Sequence, residues 1–250
     1  MITVKTPARI CLFGEHQDYL DLPVIAQTIP LYSQIKGQLC EKKIKGVTIH
    51  LIDMDQTEYI FPEDLLKNAS YTMYTSGMKL CMQKGLTFSS SMKIEVTSAI
   101  PSQAGCSSSS SIMIGWIKLL MKLADNPVSW EPVEIAEAAY QAEVMLLNGQ
   151  GGRMDQYTIA MDQLIYMATY SEISVQSLPP IPGAFVLGDS MEVKNTQAQL
   201  RRCKESRIKL FKHLKEIDPK FSIHTIQCKD TGDYRSELNK MEILDLFRIH

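Results

Sequence analysis

The residues of this chain that could do chemistry fall in three short stretches. In Gly14-Glu15-His16-Gln17-Asp18-Tyr19, two carboxylates and an imidazole stand within four positions directly after an apolar run, where they project from a strand end. Such a set can hydrogen-bond several hydroxyls of a polyol at once. A plain polar turn with His16 exposed fits the same residues. A metal site fits less well, because Glu15, His16 and Asp18 crowd one turn with no further partner nearby in sequence. The second stretch is Pro101-Ser102-Gln103-Ala104-Gly105-Cys106-Ser107-Ser108-Ser109-Ser110-Ser111, a turn and a glycine followed by small hydroxyl residues that lead into the apolar run 112–123. A helix N-terminus exposes unpaired N–H groups at the positive end of the macrodipole, so small residues there let a phosphate reach the backbone. Serine also caps helices, so an anion cradle and a simple cap both stand. The third stretch holds Glu143, near the end of one helical pattern, and Asp155, at the start of the next. An acid at a helix start is favoured by the macrodipole, and Asp155 can be no more than that charge partner.

The elements around these stretches read as a mixed α and β chain. Residues 2–5 form a short strand, Pro7 interrupts the pairing, and Ile10-Cys11-Leu12-Phe13 is a second apolar run ended by Gly14. Residues 31–62 are β-rich, with 47–52 the clearest strand, and 71–84 fits a helix stopped by Gly85. Met92-Lys93-Ile94-Glu95-Val96-Thr97 alternates as a half-buried strand just before the serine loop, which is therefore a loop inside a fold. A helix over 132–147 carries Glu143, Asn148-Gly149-Gln150-Gly151-Gly152 stops it, and the next helix opens at Arg153. Strands are expected at 164–167, 175–178 and 184–187. The run Pro179-Pro180-Ile181-Pro182-Gly183 is the best linker. Residues 196–217 are amphipathic, with Leu200, Cys203, Ile208, Phe211 and Leu214 inward. Arg201, Arg202, Lys204, Arg207, Lys209, Lys212 and Lys215 then make a solvated basic face.

Composition narrows the class. A chain of 250 residues with 45% hydrophobic content can bury a sizeable core, and a net charge of −2 argues against nucleic acid as a partner. No apolar stretch reaches membrane-spanning length and the N-terminus lacks a signal pattern, so no membrane partner is expected and the cytosol is the expected compartment. The six cysteines show neither zinc spacing nor a disulfide framework and read as reduced thiols. Nothing in the sequence sets an oligomeric state.

Three motifs together carry a family resemblance. Pro7-Ala8-Arg9-Ile10-Cys11-Leu12-Phe13-Gly14-Glu15-His16-Gln17-Asp18-Tyr19 resembles the galactokinase signature P-G-R-V-N-L-I-G-E-H-T-D-Y. The serine loop is similar to the second motif of the GHMP kinase superfamily, P-x-G-x-G-L-S-S-S-A. Gln141-Ala142-Glu143, with Asp155 twelve positions later in Gly152-Arg153-Met154-Asp155-Gln156, resembles the galactokinase run A-E then G-I-M-D-Q. The fold this implies is α+β: a ribosomal-protein-S5-domain-2-like N-terminal domain over 1–180, then an incomplete ferredoxin-like C-terminal domain over 181–250. The resemblance implies an ATP-dependent kinase that uses Mg²⁺ and phosphorylates galactose or a related aldose at its anomeric hydroxyl. Asp155 is then the base with Arg9 beside it. Glu15, His16, Asp18 and Gly152 bind the sugar, Gly105, Ser107, Ser108 and Ser110 hold the ATP phosphates, and Ser109 and Glu143 hold the metal.

The chain also departs from the pattern. Gln103 replaces a glycine and can crowd the phosphates, and Cys106 replaces leucine. Arg153 replaces isoleucine beside the base, where it could bind a charged substituent on the substrate. The tyrosine that galactokinases carry ahead of a paired arginine is missing before Arg201-Arg202, where Ala198 stands. The family's C-terminal glycine-rich motif is also absent, which leads to the expectation of a fragment of a longer protein. Two alternatives follow: a catalytically silent sensor of sugar and ATP, or a kinase for another small alcohol such as mevalonate.

Overall fold

The computed structural model describes residues 1–41, 46–66, 71–188 and 196–225, with Gly232, Tyr234 and Ser236. Its centre is a mixed sheet built on one long strand. β1 (Ile2–Phe13) runs antiparallel along one edge of β2 (Val24–Cys40). The other edge of β2 is shared. Residues 33–40 pair with β5 (Ser91–Ser98), and residues 24–26 pair with β6 (Ile165–Ala168), which in turn pairs with β7 (Ser174–Ser177). β3 (Val47–Leu51) lies parallel to β5 and carries β4 (Gln56–Ile60) as the outer strand.

Pro7 does not end β1, as the sequence suggests. The strand continues through it, and the register jumps from Pro7–Tyr32 to Ala8–Ile29, leaving Pro30 and Leu31 unpaired on β2. Proline cannot donate to the ladder, so a bulge is where two of them are tolerated. The bulge bends β2 between the half that meets β6 and the half that meets β5. It also sets Arg9, two residues beyond Pro7, at the turn in direction.

The helices lie against the sheet. α3 (Ser108–Leu123) packs on β1 and β2, α5 (Met154–Met161) packs on the same strands, and α2 (Met73–Gln83) and α4 (Pro132–Tyr140) pack on α3. A short α1 (Pro62–Leu66) precedes α2. The expected alternation of β5 holds: Met92, Ile94 and Val96 are buried beneath the helices, and Lys93 faces solvent. The helix expected over 132–147 is α4 followed by a π-helical segment over Gln141–Met145, a widened turn that holds Glu143. No strand forms at 184–187; that run is irregular and its large side chains are exposed. Without a neighbouring strand it has no ladder to join.

α6 (Thr196–Ile217) follows the amphipathic pattern with one shift of face. Leu210 and Leu214 are fully buried with Phe221 in a small separate cluster, whereas Ile208 is exposed. Arg207, expected on the solvated face, is buried, with its Nη1 donating to the Tyr19 hydroxyl at 3.0 Å. Among the described cysteines, 11, 40, 81, 106 and 203 are free thiols; Cys228 lies outside the described residues. Among the described residues, no helix is long and apolar enough to cross a membrane.

Close helix approach depends on missing side chains. A Cβ at Gly77 of α2 would stand 2.7 Å from Trp116 of α3, whose indole Nε1 donates to Tyr74 O at 3.0 Å. Trp116 is fully buried and edge-on to Tyr74. Gly77→Ala is therefore expected to destabilise the chain by about 1–2 kcal/mol, because overpacking outweighs the helix propensity that alanine adds. Urea denaturation followed by tryptophan fluorescence measures this. An unchanged or raised midpoint would show that Trp116 yields without strain.

Candidate active site

The three stretches converge on one cleft of about 420 Å³, although 146 residues separate Arg9 from Asp155. Arg9 is the link between them. The bulge aims its side chain under the serine loop, where its Nη1 donates to Gly105 O at 2.6 Å, while its backbone N–H donates to Cys106 O. Its Nε and Nη2 both reach Asp155 Oδ1, at 2.8 and 2.7 Å. Burial works to discharge the guanidinium, but the carboxylates of Asp155 and Glu15 outweigh it and hold its pKa above the ordinary value.

Because both guanidinium donors fall on Oδ1, Asp155 Oδ2 is left for another partner. Ser107 supplies it, with its Oγ donating at 2.6 Å. Ser107 was expected among the phosphate contacts; its hydroxyl is instead engaged with the acid. The engagement also bears on the simple cap. Ser107 is the N-cap of α3 and makes no side-chain capping bond, so its hydroxyl does not take up the first-turn N–H groups that a phosphate would need. The loop is tightly wound to achieve this, with Gln103, Gly105 and Ser107 all at positive φ (57°, 79° and 58°). Only glycine adopts that conformation freely, so Gln103 and Ser107 store backbone strain there. Gln103 itself is exposed and need not crowd the cleft floor.

Ser109, Ser110 and Gln156 converge on Glu143. Burial pushes the Glu143 carboxyl above its ordinary range, opposed by hydrogen bonds from these three side chains. Among the described residues, no group of three His, Cys, Asp or Glu side chains could hold a metal. Glu143 with Ser109 still offers a carboxylate and a hydroxyl oxygen, a donor set that suits Mg²⁺, which is commonly held by one or two carboxylates with substrate phosphates and water completing the shell. Ser108 lines the same cleft at the first position of the helix.

At the other end, Gly14 turns the chain with φ 87° and Asp18 opens a short 3-10 turn, Asp18–Leu20. Asp18 is buried and accepts the Met154 N–H at 3.0 Å, the first amide of α5. Gly152 makes room for it, since a Cβ there would overlap the Asp18 carboxylate. Burial, with Asp155 and Glu15 nearby, pushes the Asp18 carboxyl up to about 6 despite the Met154 bond. Glu15 and His16 line the cleft with Glu15 half exposed, and the two lie 4.0 Å apart.

All the residues singled out by sequence therefore border this cleft, and one further suggestion is overturned. Arg153 does not face the cleft. Its Nε pairs with Glu137 Oε2 at 3.2 Å and its guanidinium lies 4.0 Å from the Tyr140 ring centroid, so it is held on α4 and cannot meet a substrate substituent. Residues not singled out by sequence include Leu200, which lines the cleft from α6, and Gln156. The three-to-four residue spacing of α6 marked Leu200 only as apolar.

Residues 72–163 match the profile described as GHMP kinases N terminal domain, a range that holds the serine loop, Glu143 and Asp155 but not the 14–19 turn. A mevalonate kinase of Pyrococcus furiosus is 25% identical over 211 residues, covering 80% of this chain and 62% of that protein. A galactokinase of the same organism is 28% identical over 172 residues, covering 67% and 47%. The chain thus spans less than two thirds of either relative. In structure, Lactococcus lactis galactokinase complexed with galactose superimposes with a TM-score of 0.78 at 15% identity, over 98% of this chain and 66% of that one. Methanococcus jannaschii mevalonate kinase superimposes at 0.62 with 21% identity, over 72% and 56%. The α+β architecture is that of the GHMP kinases.

The position of Asp18 gives a pH-dependent expectation. Its folded-state pKa, about 6, lies above the unfolded value near 3.8. Its contribution is therefore fully present below about pH 4 and is lost as pH rises through 6. Asp18→Asn keeps an acceptor for Met154 and removes the charge, so at pH 7.5 it should be more stable than the native chain by up to about 3 kcal/mol, with the gain vanishing near pH 4. Urea midpoints at both pH values test this; a difference independent of pH would rule it out.

Proposed function

We propose that this chain is the catalytic part of an ATP-dependent small-molecule kinase, with an aldose of the galactose type as acceptor at its anomeric hydroxyl. Residues 1–180 are then its first domain and 181–250 the start of its second. The observation that carries the reading is the Arg9–Asp155–Ser107 cluster, which sets an arginine-paired carboxylate between the open end of a helix and a turn rich in hydroxyl-binding groups. Few purely structural charge pairs would be placed at the junction of an anion cradle and a polar pocket.

On this reading the phosphate groups lie against the first turn of α3, with Gly105, Ser108 and Ser110 around them. Glu15, His16 and Asp18 fix the acceptor by its hydroxyls, and Gly152 leaves the space in which Asp18 does so. Asp155 takes the proton of the reacting hydroxyl as its oxygen bonds to the γ-phosphorus and the bond to the ADP oxygen breaks. Arg9 sets its positive charge against that carboxylate and offsets negative charge at the transferring group. Ser109 and Glu143 would hold Mg²⁺, which spreads the charge of the phosphates when bound. Positioning supplies most of the acceleration, with Arg9 on a sheet strand and Asp155 on the first turn of a helix.

A second reading has its own support. The cleft lining includes Leu200, an apolar side chain, and a mevalonate kinase aligns over more of the chain than a galactokinase does. A smaller hydroxy acid with an apolar methyl group suits that wall.

ADP release from Mg-ATP, measured with the full chain against a panel of aldoses and mevalonate, separates the two. The expected result is turnover with one aldose that falls about 10²–10⁴-fold in Asp155→Asn, the range general-base catalysis contributes. Turnover with mevalonate alone replaces the aldose by the hydroxy acid. Binding of a sugar without turnover by any compound overturns the kinase reading in favour of a sensor.

A further inference from the structure

Among the described residues, Gln156 is the buried polar side chain at the cleft with an unpaired atom. It stands on the first turn of α5, next to Asp155, and is 2% exposed. Its Nε2 donates to Glu143 Oε2 at 2.7 Å and to Ser110 Oγ at 3.3 Å. The carboxylate fixes which end of the amide is nitrogen, because two oxygens would repel at that distance. The other end, Oε1, is buried and has no hydrogen-bond partner. An apolar side chain of the same shape would avoid that unpaired oxygen, so the amide is kept for the bond it donates.

We propose that Gln156 is a positioning residue for the divalent cation, holding the Glu143 carboxylate in the orientation in which it accepts the ion. The inference rests on the phosphotransfer reading above. Three donors converge on Glu143 in the free protein, the hydroxyls of Ser109 and Ser110 and the Gln156 amide. The two serine hydroxyls also border the cleft where the cation and phosphates would lie, so each has a second partner to serve when these bind. The amide of Gln156 has no such role and does not titrate. It can hold the carboxylate without itself meeting the cation, and it comes from the same helix turn that carries Asp155. Metal site and base are thus tied to one rigid element, and removal of an outer partner of this kind costs about 10–100-fold in metal affinity.

The test is the affinity of Mn²⁺ for the full chain with ADP, read by water-proton relaxation or by electron paramagnetic resonance, in the native protein and in Gln156→Met. Methionine fills a similar volume and removes the unpaired oxygen along with the donor. The expected result is Mn²⁺ binding weakened about 10–100-fold, with the unfolding temperature of the unliganded protein unchanged or higher. A side chain that only stabilised the fold would shift the unfolding temperature and leave the affinity alone. Unchanged Mn²⁺ affinity in a folded Gln156→Met protein overturns the proposal and leaves the kinase reading standing. If the methionine variant does not fold, Gln156→Asn keeps both amide atoms one methylene short. It should fold and bind Mn²⁺ more weakly, and native affinity there overturns the proposal. A native protein that binds no Mn²⁺ with ADP removes the phosphotransfer reading itself, and this inference with it.

Discussion

The structure turns on a single guanidinium. Arg9 reaches the carbonyl of Gly105, the carboxylate of Asp155 and, through its backbone, the carbonyl of Cys106, so one residue of β1 joins the serine loop to the start of α5. A buried cation is stable only when its charge and its donors are met together. That requirement fixes the loop and the helix end relative to each other. It also explains the irregularity of β1, because an unbroken ladder through Pro7 would give Arg9 a different direction. The bulge at Pro30 and Leu31 is the local disorder in pairing that makes the global arrangement possible.

Around that residue the fold opposes burial with hydrogen bonds. Asp18 and Glu143 are both carboxyls whose burial raises their pKa, and each is met by donors aimed at its charged form: the Met154 N–H for Asp18, and two serines with Gln156 for Glu143. Burial prevails in both cases, so each acid holds its proton more tightly than it would in water. Asp155 differs in having a full positive charge against it and a hydroxyl on its second oxygen. Three acids in one cleft thus stand in different surroundings, two of them governed by burial and the third paired with a buried cation.

The supporting layer shows why such a polar cleft can sit on a well-packed core. Thr6 and Ser111 exchange bonds in the buried contact of β1 with α3, Thr6 Oγ1 donating to Ser111 O at 2.7 Å and Ser111 Oγ to Thr6 O at 2.9 Å. Just beyond them, Gly115 lies against Ile35 and Thr6, and Gly37 against Leu119. Small residues at these crossings bring the helix close to the strands, and its N-terminus is delivered to Arg9 as a consequence. The serine run therefore serves two environments, with Ser107, Ser108 and Ser109 in the cleft and Ser111 in the core.

Much of this was legible in the residues themselves. Hydrophobic periodicity marked most of the strands and the helices, because a helix stripe and a strand face repeat at different periods whatever lies around them. Residue type and spacing marked Glu15, His16, Asp18 and the serine loop, since the chemistry of carboxylates, hydroxyls and glycine is local, whereas Glu143 and Asp155 were marked by the resemblance of their run to a galactokinase motif. Partnership between distant residues was not legible. That Ser107 serves Asp155, that Arg153 turns to Glu137 and Tyr140, that Arg207 is buried against Tyr19 and that Gln156 holds Glu143 are all contacts between residues far apart in the chain or on opposite sides of a helix. A missing strand at 184–187 has the same cause, because a strand is defined by its neighbour. What a side chain can do is written in its own atoms, and the sequence by itself determined that much; which partner it does it with depends on how the sheet and helices close in space, and only the tertiary structure decided it.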